Sequence, residues 1–179
     1  TGAGLISLIS TFGPLSGAHF KPAVSVIEAA FGRLAWREVL PYAIAQCLGA
    51  IAGVMAAHAM FDLPVLMAST HERSGIAQQF SEVVATFGLV SVILHAVHRG
   101  ATNIPTLVGA WITAAYWFTA STSFANPAVA IARSLTNTFS GIRPIDLPGF
   151  IASELVGAVV GLMLMSWLLR GTAAAAAER

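Results

Sequence analysis

Long apolar stretches, separated by short polar segments, run through most of the chain. Four of them have about the 20 residues that a helix needs to cross a bilayer: 41–60, 80–97, 104–120 and 148–169. Residues 1–15 are apolar but too short to cross, and residues 62–79 are polar enough to predict a surface loop. The pattern predicts an all-α membrane protein with several spanning helices.

Two further helices are predicted to be half-length, and they begin alike. Asn and Pro are favoured at helix starts, and residues 126–128 read Asn–Pro–Ala after an apolar segment. Residues 21–23 read Lys–Pro–Ala, 105 positions earlier, and valine follows both tripeptides. We predict half-helices over residues 22–31 and 127–137. Paired short helices in two halves of an apolar chain indicate a membrane pathway lined by broken helices.

The composition agrees with a membrane protein. Hydrophobic residues make up 56% of the chain and charged residues only 9%, whereas soluble domains carry about a quarter charged residues. A net charge of +1 without a basic patch argues against a nucleic-acid partner. Cys47 is the only cysteine, which excludes a disulfide within the chain.

The two halves match beyond their half-helices. Pro41 and Pro148 open corresponding spans, and the Gly-x-x-x-Gly spacing at 49–53 recurs at 157–161. Small residues at this spacing let membrane helices approach closely. We predict a single domain over residues 1–179, with a partial first repeat at 1–60 and a second repeat at 80–170.

The repeat also predicts how the halves are arranged. In the second half 46 residues (80–125) precede Asn126, but only 20 precede Lys21, so the first helix of the fold is expected to be missing at the N-terminus. An odd number of complete spans between the units predicts that the halves are inverted in the membrane. The predicted cytoplasmic side has more arginines. These are Arg33, Arg37, Arg99, Arg170 and Arg179, against Arg73, Arg133 and Arg143.

Two helix N-termini that meet inside a bilayer produce a positive region with free N–H donors. Such a region repels cations and protons, while its N–H groups and side-chain amides still bind a neutral solute. This chemistry predicts transport of small uncharged molecules and not enzymatic catalysis.

The sequences at 16–24 and 124–129 resemble the two signature loops of the aquaporin, or major intrinsic protein, family. The matching loop residues are Lys21, Pro22 and Ala23, and Asn126, Pro127 and Ala128. The resemblance implies six tilted helices with two half-helices, a pore in each subunit and a homotetramer in the lipid of the plasma or inner membrane. It also implies that Glu82 binds the backbone of the second loop. Alternatively, Glu82 is an interfacial carboxylate near a helix start.

Lys21 departs from the family pattern, which has Asn at this position. An ammonium is unfavourable beside a helix N-terminus, and its burial at the bilayer centre is costly. One interpretation is a plug or a changed selectivity, and the other is a damaging substitution.

A second departure concerns the narrow filter of the family, which usually has an Arg two residues after the second Pro. Val129 occupies that position here, and the other filter positions fall on Thr1, Ala114 and Ser123. Such a filter resembles the solute-conducting branch, which includes aquaporins associated with arsenic resistance, and implies glycerol or neutral metalloid hydroxides as permeants. Arg133, one turn beyond Val129, is either a partial substitute or an ordinary interfacial charge.

His19 lies beside the first signature. The resemblance implies that it orders the loop on the cytoplasmic side of the pore. No second His or Cys follows at ligand spacing, so we predict neither a metal nor a cofactor.

Two alternatives to a passive channel remain open. An ion-coupled secondary transporter also uses inverted repeats, but it tends to keep ionisable residues at mid-membrane. Lys21 is the only candidate for such a residue, and the sequence shows no partner for it. The other alternative is a non-conducting, truncated channel fragment.

Overall fold

The computed structural model describes the backbone of residues 1–177 and the side chains through residue 170. Within this range the chain forms seven α-helices and one short 3-10 helix, with no β-strand. The α-helices are α1 (Gly2–Ser16), α2 (Pro22–Ala30), α3 (Trp36–Met60), α4 (Ile76–His98), α5 (Ile104–Phe118), α6 (Pro127–Arg133) and α7 (Leu147–Ala177). The 3-10 helix, Pro144–Asp146, leads directly into α7.

Three of the helical segments are long and apolar enough to cross a membrane. They are Trp36–Met60, Ile76–His98 and Pro144–Arg170, with α1 and α5 as shorter apolar helices of 15 residues each. The all-helical, membrane-spanning architecture predicted from the apolar pattern is therefore confirmed.

Three spanning helices begin earlier than the sequence predicts, the last of them by one residue. α3 begins at Trp36, so Pro41 lies inside the helix and does not open it. Proline removes only its own N–H, and the carbonyl that loses its partner, four residues earlier at Arg37, lies in an exposed first turn. α4 begins at Ile76, inside the segment predicted as a loop. The last span begins at Leu147 and continues to Ala177, beyond the predicted end at 169.

Both half-helices are shorter than predicted. α2 ends at Ala30, and Gly32 follows with a left-handed backbone (φ 71°). α6 ends at Arg133, four residues before the predicted end. The carbonyl of Arg133 accepts a hydrogen bond from the backbone N–H of Ile142, 3.3 Å away, because the chain turns back after α6.

α4 and α7 are packed along each other through the predicted glycines of α7. A Cβ on Gly157 would overlap the carbonyl of Val83, and a Cβ on Gly161 would be in tight contact with the carbonyl of Phe87. The close helix approach predicted for this pair is confirmed. The corresponding glycines of α3, Gly49 and Gly53, face open space.

The half-helices lie between the longer helices and are buried there. Ala23 and Ile27 of α2 join a core cluster with residues of α4 and α7, and Ala130 of α6 packs with Phe150. The end of α2 lies near the C-terminal end of α4 and the start of α5, whereas the end of α6 lies near the C-terminal end of α5. The two half-helices therefore point in opposite directions from their meeting point, as the inverted repeat predicts. Arg179, counted above among the loop charges, lies outside the described residues.

Candidate functional site

The second signature loop forms a capped helix start. Asn126 is the N-cap of α6, and its Oδ1 accepts a hydrogen bond from the N–H of Ala128 at 3.1 Å. Pro127 occupies the first helical position, where its missing N–H costs nothing. The Nδ2 of Asn126 donates to the carbonyl of Phe20, in the first loop, at 3.0 Å.

The first signature loop makes the same cross-contact with a different side chain. Lys21 stands at the head of α2 with an extended backbone, and its Nζ donates to the carbonyl of Ala125 at 3.2 Å. Each signature therefore donates one side-chain hydrogen bond to a carbonyl of the other. An ammonium cannot accept a hydrogen bond, so Lys21 does not cap α2 as Asn126 caps α6.

Two carboxylates accept hydrogen bonds from backbone N–H groups of the second loop. Glu82 of α4 accepts hydrogen bonds from the N–H groups of Phe124 (2.9 Å) and Ala125 (2.7 Å), the contact that the resemblance implied. Glu154 of α7 accepts one from the N–H of Asn126 at 2.9 Å. Both side chains are fully buried. The sequence analysis did not identify Glu154, although a carboxylate in the middle of an apolar span is a signal of function.

Because of these two carboxylates, the prediction that Lys21 is the only ionisable residue at mid-membrane and has no partner is wrong. Glu82 and Glu154 lie close enough to interact electrostatically with the Lys21 ammonium, which is itself 6% exposed. Three ionisable groups thus surround the meeting point of the half-helices, and their charges have both signs.

The four predicted filter positions have different surroundings. Ser123 is buried in the loop, and Val129 borders the same groove as Asn126. The hydroxyl of Tyr116 donates to Oγ1 of Thr1 at 3.1 Å. Ala114 is exposed, and it lies roughly 120° around α5 from the cavity-lining Val108.

The connection between α5 and α6 is irregular. Its residues Thr122, Ser123 and Ala125 all have left-handed backbones. Each residue turns a helix by about 100°, so residue spacing alone does not fix which face of α5 meets the second loop. Tyr116 of α5, which the sequence pattern does not single out, contacts Thr1 and Arg133 there.

Arg133 is held against aromatic side chains. Its Nη2 donates to the hydroxyl of Tyr116 at 3.2 Å, and its Cζ lies 4.3 Å from the ring centroid of Phe124. Cation–π contacts of this kind contribute about 0.5–1 kcal/mol at exposed sites and more when desolvated. With Thr1 and Tyr116, Arg133 forms a polar group beyond the end of α6.

Arg73 corrects the prediction that residues 62–79 lie only on the surface, because this side chain is 5% exposed. Its guanidinium donates to the carbonyls of Gly141 (2.7 Å), Ser121 (2.9 Å) and Phe139 (3.1 Å). Burial lowers the pKa of Arg73, and the nearby charge of Arg133 lowers it further. Five N–H donors in a fixed geometry let one arginine join three loops.

His19 lies on the side of the half-helix heads opposite to Arg133. Its Nδ1 is 3.3 Å from the hydroxyl of Ser25 in α2, and its ring packs against that of Tyr42, 5.4 Å away. A cavity of about 240 Å³ adjoins the first loop here and is lined by His19, Lys21, Glu28 and Arg33 together with aliphatic side chains. His19 therefore connects the first half-helix with α3.

Comparison with known proteins gives a family for this arrangement. The family model described as Major intrinsic protein matches residues 1–118. Aquaglyceroporin AqpS from Rhizobium meliloti is 62% identical over 170 residues, which cover 95% of this chain and 73% of that protein. The chain belongs to the major intrinsic protein family. The resemblance to aquaporins inferred from the two signature loops is confirmed.

More distant members of the major intrinsic protein family also match nearly the whole chain. Probable aquaporin NIP7-1 from Arabidopsis thaliana is 28% identical over 90% of this chain and 60% of its own length. An uncharacterized aquaporin-like protein from Haemophilus influenzae is 26% identical over 94% of this chain and 88% of its own length. The chain is an integral membrane protein and a passive channel for water and small neutral solutes, and not an enzyme.

Proposed function

We propose that this channel conducts small hydroxylated solutes without charge, such as glycerol and neutral metalloid hydroxides, together with water. The reciprocal hydrogen bonds between the half-helix heads carry the proposal, because Lys21 and Asn126 each donate to a carbonyl of the other signature loop. The 62% identity to a protein named aquaglyceroporin supports the same solute class.

The central residues act by offering donors and repelling positive charge. Pro22, Ala23, Pro127 and Ala128 form the first turns of the two half-helices, whose N-termini each carry about half a positive charge. The Lys21 ammonium adds to this field, and a neutral solute meets N–H donors there without electrostatic cost. The carboxylates of Glu82 and Glu154 accept backbone N–H groups and hold the second loop in shape.

We propose that the passage is wider and less polar beside Asn126 than it is one helical turn further out, at Arg133. Val129 and Ser123 bring small side chains to the second loop, in agreement with a passage for solutes larger than water. Arg133, bound by Tyr116, supplies a fixed positive charge beyond them and acts as a partial substitute for the arginine absent at Val129. His19 is proposed to order the inner side of the passage.

We further propose that the channel works as a homotetramer in the plasma or inner membrane. Large apolar side chains are exposed on several helices, which suits contacts with lipid and with neighbouring subunits. Leu40, Ile44 and Leu48 of α3 and Trp117 of α5 are between 51% and 88% exposed.

Stopped-flow light scattering on proteoliposomes tests the proposal. Vesicles that contain the protein are expected to shrink quickly in an impermeant osmolyte and to reswell quickly in glycerol, with a low activation energy. Pre-set proton or sodium gradients should leave both rates unchanged. A rate equal to that of empty vesicles, or a requirement for a coupling ion, would overturn the proposal.

The substitution Lys21→Asn tests whether the ammonium restricts conduction. Asn removes a charge from the unfavourable end of α2 and can cap the N–H of Ala23, as Asn126 caps α6. We expect a severalfold higher glycerol flux. Lys21→Met, which removes the charge without providing a cap, separates the two effects. Equal flux in wild type and Lys21→Asn would show that the ammonium is not the obstacle.

A further inference from the structure

The cavity beside the first loop is lined by two chemically different sets of side chains. Aliphatic side chains of α1, α4 and α5 line it, among them Ile93, Val97 and Val108. Glu28 and Arg33, near the end of α2, belong to its polar lining together with His19 and Lys21. The volume is about 240 Å³, below the roughly 300–1,000 Å³ of pockets for drug-sized ligands, so the space suits a small solute.

Glu28 and Arg33 form a bidentate ion pair. Nε of Arg33 lies 2.5 Å from Oε2 of Glu28, and Nη2 lies 2.8 Å from Oε1. The Glu28 side chain is 10% exposed and that of Arg33 is 35% exposed. The chain fixes the pair locally, because the carbonyl of Glu28 accepts the backbone N–H groups of Arg33 (2.9 Å) and Leu34 (3.3 Å).

A bidentate pair of this kind is neutral as a unit but still offers hydrogen bonds on both partners. Each carboxylate oxygen keeps lone-pair capacity, and the guanidinium has five N–H donors, of which the pair uses two. A lone carboxylate at this place would attract cations, and a lone guanidinium would attract anions. The neutralised pair instead favours an uncharged solute that can both donate and accept.

We propose that this cavity is a transit site for an uncharged vicinal diol or a similar small hydroxylated solute. Its hydroxyls bind the Glu28–Arg33 pair, and its carbon face lies against Ile93 and Val97. The inference rests on the proposed function and adds a second selectivity site, on the side of the half-helix heads opposite to Arg133. In the repeat Glu28 occupies the position of Arg133, 105 residues earlier, so corresponding positions of the two half-helices carry residues of opposite charge type.

Competition between propane-1,2-diol and water in proteoliposomes tests the proposal. With equal diol on both sides of the membrane, a diol bound in the passage blocks water, and the half-inhibiting diol concentration reports its affinity. The double variant E28L/R33L removes the hydrogen bonds, whereas E28Q/R33Q removes the charges but keeps donors and acceptors. Arg37 and Glu38 are an exposed base and acid at the start of α3, so R37Q/E38Q is the matched control.

We expect E28L/R33L to raise the half-inhibiting concentration about tenfold, which corresponds to the loss of about one hydrogen bond's free energy. E28Q/R33Q should stay within about threefold of wild type, and the control should be unchanged. The same half-inhibiting concentration in wild type and E28L/R33L would overturn the inference while the channel still conducts. Absent glycerol flux in wild type would instead overturn the proposed function.

Val97→Phe provides a second test with the ion pair intact, in case E28L/R33L does not reach the membrane. The larger side chain fills part of the cavity, so the half-inhibiting concentration should again rise. An unchanged value in Val97→Phe would exclude the diol from this cavity.

Discussion

Glu82 and Glu154 bring acceptor oxygens to three backbone N–H groups that lie deep in the helix bundle. The N–H groups belong to consecutive residues of the second loop, whose left-handed residues prevent bonding within a helix or sheet. Buried donors without partners cost about 1–3 kcal/mol each. The loop conformation therefore depends on side chains that are more than 25 residues away in sequence.

Glu82→Ala leaves the N–H groups of Phe124 and Ala125 without acceptors. We expect a loss of about 2–6 kcal/mol in the free energy of unfolding, because two buried donors are affected. Glu82→Gln, which keeps one acceptor oxygen, should lose less. Thermal unfolding in detergent, followed by tryptophan fluorescence, measures the difference. The exposed Glu38→Ala is the control, and equal melting temperatures for both alanine variants would contradict the expectation.

Single residues also show how far sequence reasoning reaches. Asn126 and Lys21 could be found because their place before Pro is a local pattern. Arg73 and Tyr116 could not be selected, since their importance comes from contacts with distant segments. Glu154 had a signal of its own, because a carboxylate in the middle of an apolar span is rare. A buried arginine in a polar loop looks like a surface charge until the carbonyls around it are known.

At the scale of helices, the two glycine pairs of the repeat differ in how closely other atoms approach them. Gly157 and Gly161 bring α7 against the backbone of α4, whereas Gly49 and Gly53 of α3 have no atom near the position of a Cβ. The sequence predicts both glycine pairs equally well. Only the packing partner decides which pair is under steric constraint.

Gly157→Ala and Gly49→Ala form a matched test of this difference. A methyl group at 157 would overlap the Val83 carbonyl, so we expect a destabilisation of about 1–3 kcal/mol. At 49 the space is open, and alanine should be neutral or stabilise the helix by up to about 1 kcal/mol. Melting temperatures in detergent give both values. A larger loss at 49 than at 157 would show that the glycine face of α3 is the more tightly packed one.

Helix boundaries were harder to predict than helix identities. Proline at 41 suggested a helix start, but the first turn of α3 tolerates it because the freed carbonyl is exposed to solvent. The apolar pattern predicts only the part of a helix that lies in the membrane core. It does not predict polar turns at helix ends, such as the first turn of α4 at Ile76.

At the scale of the whole molecule, hydrogen bonds join the interhelical loops on the Arg133 side into one layer. Arg73 joins the α3–α4 connection to the second loop and to the α6–α7 connection. Asp146 accepts the backbone N–H of Arg73 at 2.9 Å and the guanidinium of Arg143 at 3.1 Å. The inverted halves could be predicted from the sequence, but this layer could not, because it depends on pairings between separate loops.

The layer is expected to weaken in acid through Asp146. In the folded chain the Asp146 carboxylate accepts the backbone N–H of Arg73 and the guanidinium of Arg143. A carboxylate that is bound in this way stabilises the fold while it is ionised, and its contribution is lost as it is protonated in acid.

Asp146→Asn tests this contribution. At pH 7 the variant should melt about 2–4 °C below wild type, for a loss of about 1 kcal/mol. Near pH 3 and below, the deficit should shrink towards zero as the wild-type carboxylate is protonated. The exposed Asp62→Asn serves as the comparison. A deficit that stays constant between pH 7 and pH 3 would exclude the carboxylate charge as its source.

The two hydrogen bonds between the signature loops determine how late in synthesis the centre of the channel can form. Lys21 is synthesised 104 residues before Ala125, whose carbonyl it binds. At about 5–20 residues per second, the first loop waits about 5–20 s for its partner. Neither loop is complete on its own during that time, so the centre of the channel closes only after most of the chain has left the ribosome.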